Sequence, residues 1–199
     1  MELHKTPTRN SGIRQLSIFS NTAGSRHQAK NIKFDHLETN SYMDYSYLKL
    51  VHLIAVMIFL GNIVTGLFWM RIAVETKDLK IINFTMKGII RADRFFTIPG
   101  VIVITAGGFL AAIYGHYPIL RTGWILWSII MFSISGLAFA FQVVPLQKKL
   151  YNLTSERVQM TDFDWEHFKR VYVKWDIWGL IALVTPLAAF AMMVLKLPQ

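Results

Sequence analysis

The chain has 199 residues, 53% of them hydrophobic and 17% charged, where average soluble domains carry about a quarter charged residues. It has no cysteine, which excludes disulfides, thiolate metal sites and cysteine nucleophiles. A net charge of +9 would point to nucleic acid in a soluble protein. Here Lys and Arg collect beside long apolar windows, so the expected partner is the lipid bilayer and not nucleic acid.

Residues 1–42 are polar, basic and rich in Ser, Thr and Asn, with no apolar run as long as a signal-peptide core. They read as a disordered basic tail, and residues 43–199 as the integral membrane domain. Four windows then lack Asp, Glu, Lys and Arg: Leu50 to Met70, Phe95 to Leu120, Thr122 to Gln147 and Ile177 to Leu195. A bilayer core about 30 Å thick needs roughly 20 apolar residues in a helix. The expected fold is therefore all-α, a four-helix transmembrane bundle with spans at about 48–70, 97–115, 124–144 and 177–195.

Tyr45 and Tyr47 mark one interface of the first span, and Trp69 with Arg71 the other. In the connection 71–96, Leu79, Ile82, Met86, Ile89 and Ile90 recur at helical spacing, which predicts an amphipathic helix at the interface. Pro99 sits in the first turn of span two, where a missing N–H costs little. The turn 116–123 is short, so spans two and three pair antiparallel. Span three is expected to stop at Pro145. The second long connection holds "TDFDWEHFKRVY", a predicted helix with Thr161 as cap, acids in its first turn and Lys169 and Arg170 in its last. Pro186 predicts a kink in span four.

The first long connection carries six basic residues (Arg71, Lys77, Lys80, Lys87, Arg91, Arg94) and the second also six (Lys148, Lys149, Arg157, Lys169, Arg170, Lys174). The 116–123 turn has only Arg121 and the C-terminal end only Lys196. This bias puts the long connections in the cytoplasm and both chain ends outside, in a bacterial inner membrane. The basic tail opposes that orientation. Either Met43 is the functional start and the tail is not native, or stronger downstream signals overrule it.

His52 lies one turn inside span one. An ionisable residue there is a functional candidate, and neutral imidazole ligates haem iron or copper; the bland alternative is a hydrogen bond to a neighbouring helix. Asn62 lies near mid-span beside Gly61-x-x-x-Thr65, a small-xxx-small pattern that suits close helix packing with a cross-helix bond. "TAGGFLAA" (105–112) and "SISG" (133–136) read as small-residue contact surfaces. At the basic end Asp93 and Asp176 are expected to pair with Arg71, Arg91 or Arg94, anchoring charge and fixing registry. No hydrolase motif or phosphate loop is present.

"YLKLVHLIAVMIFLGNIVTGLFWMR", followed by "RADRFFTIPGVIVITAGG", "GWILWSIIMFSISG", "VVPLQKKL" and a last helix ending "AMMVLKLP", resembles a bacterial domain-of-unknown-function family of predicted integral membrane proteins, over roughly Met43 to Pro198. That family is distantly similar to the HemJ-type protoporphyrinogen oxidases and the CopD-type copper-resistance membrane proteins. The HemJ type has a first-helix histidine, then a Gly and an Arg near the helix end, associated with haem b; His52, Gly61 and Arg71 stand in that order here. The HemJ type also uses a lysine within a later span, and this chain has none there. The resemblance implies haem b on His52, with His116 or a non-histidine group as second ligand, in a redox or haem-handling role with a membrane redox partner or as a homo-oligomer. The alternatives are a copper- or solute-transport protein using His52, His116 and Met57, and a non-catalytic membrane scaffold.

Overall fold

The computed structural model describes residues 45–155 and 163–198. The architecture below is that of the unit that begins at Tyr47. The tail 1–42 and the expected cap Thr161 lie outside the described residues.

Four helices carry the fold: α1 Tyr45–Glu75, α2 Leu79–Tyr114, α3 Gly123–Leu153 and α4 Trp165–Leu195. All four are long and apolar enough to cross a membrane, so the all-α, four-helix transmembrane fold expected from the sequence is the fold observed. Cross-helix hydrogen bonds show that neighbours run antiparallel. Residue 52 meets 104, and 62 meets 93. Residue 83 meets 151 and 93 meets 147, and 128 meets 189 and 135 meets 182.

The helices are 31, 36, 31 and 31 residues long, about 46–54 Å at 1.5 Å per residue, well beyond the hydrocarbon thickness of about 30 Å. The excess gathers at one end, where α1 and α3 finish and α2 and α4 begin. There Met70, Ile82, Met86, Leu150, Phe168 and Trp175 are buried together in one core. The expected amphipathic segment is helical, and it is the first half of α2. Its apolar residues Leu79, Ile82, Met86 and Ile89 are buried, so its apolar face meets other helices of the bundle and not the lipid headgroups. Asp78 caps it, its carboxylate accepting the Lys80 and Ile81 N–H groups at 2.8 and 3.4 Å. Asn83 donates to the Tyr151 carbonyl at 2.9 Å, near the C-terminus of α3. α4 starts at Trp165 with Asp164 as cap, accepting the His167 N–H at 2.8 Å.

Two sequence expectations are corrected here. Pro99 does not open a helix and Pro145 does not end one; both lie inside continuous helices. A proline ring clashes with the carbonyl four residues back and removes an N–H. In both helices a π-turn sits just ahead of the proline. Asp93–Thr97 precedes Pro99, with the Ile98 N–H reaching the Asp93 carbonyl. Phe139–Val143 precedes Pro145, with the Val144 N–H reaching the Phe139 carbonyl. Such wider turns let a membrane helix carry proline without ending. Pro186, inside α4, is accommodated differently. The carbonyl it leaves without an intrahelical N–H is that of Ala182, and the Ser135 hydroxyl of α3 donates to it at 2.7 Å. The Ser128 hydroxyl lies 2.7 Å from the Trp124 carbonyl of its own helix and 3.1 Å from that of Ala189; of the expected "SISG" surface Ser135 is buried against α4, while Ser133 and Gly136 are exposed.

Candidate functional site

Among the described residues, two buried titratable side chains lie between the helices, His52 and Asp93. The first is His52, 8% exposed. Its Nδ1 lies 2.9 Å from the Ile104 carbonyl of α2. A carbonyl only accepts, so Nδ1 carries the proton, and in the neutral ring Nε2 holds the lone pair. The "TAGG" stretch makes room for this ring. A Cβ on Gly107 would stand 3.4 Å from the His52 Cβ, and one on Gly108 only 3.1 Å from Cε1. A Cβ at Gly108 would crowd the ring, so the small-residue surface expected at "TAGG" packs against His52.

The structure does not bring His116 to this ring. His52 packs at the level of Gly107, whereas His116 follows the end of α2, about 10 Å of helix rise further on, and is exposed with φ 55°. Met57 is 70% exposed. It stands about 140° around α1 from His52 at 3.6 residues per turn, so it faces away. Among the described residues no three His, Asp or Glu side chains gather in a metal-ligand group.

The second site is built on Asp93, 8% exposed. Its Oδ1 accepts Asn62 Nδ2–H of α1 at 2.9 Å and Thr97 Oγ1–H at 2.8 Å. Its Oδ2 accepts Gln147 Nε2–H of α3 at 2.8 Å. Asn62 also donates to Thr97 Oγ1 at 2.9 Å. The π-turn runs from Asp93 to Thr97, so both side chains enter the network from one widened turn. Asn62 thus makes the cross-helix bond expected of it. Gly61 has nothing within 4 Å of where a Cβ would sit, and Gly61 and Thr65 are exposed, so that small-residue face is not used within the bundle.

The charged cluster expected at the basic end splits in two. Asp176 pairs with Arg71 through Nη2–Oδ2 at 2.9 Å and Nε–Oδ1 at 3.4 Å. Among the described residues Asp93 pairs with no arginine. It lies level with Asn62, about 13 Å of helix rise inward of Arg71, and Arg91 and Arg94 are exposed on the outer surface. Its partners are neutral donors. Thr97, Gln147 and Trp175 complete this region and were not singled out from sequence. Thr97, four residues after Asp93 on the same helix face, was the available signal; Gln147 was hidden by the assumed helix end at Pro145.

A family described as Predicted integral membrane protein (DUF2269) matches residues 46–197. The chain belongs to this family. The match spans all four helices and both polar sites. No curated protein and no solved structure matches the chain.

Proposed function

We propose that this family member binds haem b through His52 in a redox or haem-handling role in the bacterial inner membrane. The observation that carries the reading is the His52 to Ile104 hydrogen bond. Ligating histidines donate their second ring N–H to a carbonyl or carboxylate, which fixes the tautomer and ring orientation. His52 has that arrangement, with Nε2 as the remaining lone pair. The order His52, Gly61, Arg71 shared with the HemJ type supports the same assignment. Bound haem supplies one-electron chemistry. The chain's own contribution is to hold the imidazole neutral and oriented and to keep its ring out of water. The second ligand is assigned to a group other than His116, given the distance along α2.

The orientation goes with this role. Lys80, Lys87, Arg91, Lys148, Lys149 and Lys174 are exposed on the half of the bundle where the long connections sit, which supports a cytoplasmic placement of that end. His52 then stands in the outer leaflet, within reach of a membrane redox partner.

The test is the visible spectrum of protein purified under haem-replete conditions. A Soret band with redox-shifted α and β bands, lost in His52→Ala and kept in His116→Ala, is the expected result. Wild-type protein without Soret absorbance overturns the assignment.

A further inference from the structure

The Asp93 network borders a cavity of about 20 Å³ lined by Asn62, Gly66, Asp93, Gln147, Trp175 and Gly179 among others. Trp175 is 2% exposed, and its indole N–H is the one buried side-chain polar atom without a hydrogen-bond partner among the described residues. Leaving such a donor unpaired in an apolar interior costs about 1–3 kcal/mol. On the same cavity sits a carboxylate with roughly four acceptor sites, of which three are taken, by Asn62, Thr97 and Gln147. A cavity above roughly 10–15 Å³ with polar partners is large enough for one water. Trp175, with its orphan donor, and Asp93, with its spare acceptor, both line one water-sized space, and a molecule that accepts and donates would satisfy both.

We propose that this cavity holds a single water molecule that accepts the Trp175 N–H and donates to Asp93, and that Asp93 with this water is an internal protonation site of the bundle. The site is independent of His52. A cation does not suit it, because the indole N–H would point its positive end at the ion. Among the described residues, Asp93 is the only titratable side chain lining the space. On the helices packed against it, Arg71 of α1 is paired with Asp176 of α4, while Lys148 and Lys149 of α3, Lys174 of α4 and Arg91 and Arg94 of α2 are exposed. Tyr172 of α4 lies about one turn from Trp175 and is half-buried. The proton comes from the aqueous phase, adds to a carboxylate oxygen of Asp93 and leaves by the reverse step; no electron moves. The π-turns of α2 and α3 lie beside this site, in keeping with the frequent placement of such turns at functional positions.

Infrared difference spectra of the full-length protein in lipid, recorded between pH steps, test it. The expected result is a carboxyl C=O band that appears on acidification, shifts in D₂O, is absent in Asp93→Asn and is displaced in Trp175→Phe, which keeps an aromatic side chain and removes the donor. A wild-type protein with no titrating carboxyl band overturns the protonation site. A band unmoved by Trp175→Phe overturns the water bridge, and that arm stands even where Asp93→Asn fails to fold. A band that moves on adding sodium or potassium at constant pH overturns the water in favour of a bound cation.

Discussion

The Ser135 hydroxyl sits 2.7 Å from the carbonyl of Ala182, the backbone oxygen that Pro186, four residues later, cannot serve. One side chain of α3 thereby repairs the helix ladder of α4. Ser135→Ala is expected to destabilise the bundle by about 1 kcal/mol. Pro186→Ala restores the backbone N–H, so the same serine change should cost less in that background. Reversible unfolding of the two single variants and the double variant measures this coupling; equal costs in both backgrounds would refute it.

The Asp93 network joins three helices through neutral donors, so its members act together. Asn62→Ala and Gln147→Ala should each destabilise by about 1–3 kcal/mol, since each removes a donor from a buried carboxylate. The pair should be non-additive by about 0.5–3 kcal/mol. Strict additivity in a double-mutant cycle would show that the two amides serve Asp93 independently.

Gly108→Ala places a methyl group 3.1 Å from the His52 Cε1. The ring must shift, at a cost of about 1–3 kcal/mol for overpacking. The protein should still insert, but with a weakened or displaced Soret band. Gly136→Ala is the control, because nothing lies within 4 Å of its added carbon. An unchanged spectrum in Gly108→Ala would separate the glycine notch from the cofactor.

The chain has no cysteine, so single introduced cysteines report topology cleanly. Pro118→Cys should label from the outside, and Lys77→Cys and Lys149→Cys from the cytoplasm. The reverse pattern would invert the proposed orientation.

Much of this architecture was legible in the sequence because charge-free windows and apolar periodicity act over many residues. The stripe Leu79, Ile82, Met86, Ile89 was found this way, and only its partner was misjudged. Periodicity shows which face is apolar, and lipid and protein are equally good at covering it. Proline was read by its local effect, but Pro145 lies mid-helix because a π-turn two residues upstream absorbs the clash. That error then concealed Gln147. Asp93 was expected to meet an arginine because Arg91 and Arg94 are close in sequence. On a helix, neighbours two and one residues away face elsewhere, and the partners came from α1, α3 and the next turn of α2. His52 was visible as an anomaly in its span, but the carbonyl and glycines that hold it lie on another helix, beyond what spacing reveals.

The π-turns of α2 and α3 each end two residues before a proline. A turn of this kind amounts to one extra residue in an α-helix, and one residue is about 100° of rotation. The two halves of α2 are thus phased separately: Leu79 to Asp93 aims one stripe at the core, and Thr97 onward aims another. A one-residue deletion between Arg94 and Phe96 would therefore close the π-turn to an ordinary α-turn, keeping Gly107 and Gly108 turned toward His52 and leaving the length of the hydrophobic span almost unchanged. Relatives that lack a proline at position 99 are accordingly expected to show a single-residue gap in this turn when aligned with the chain.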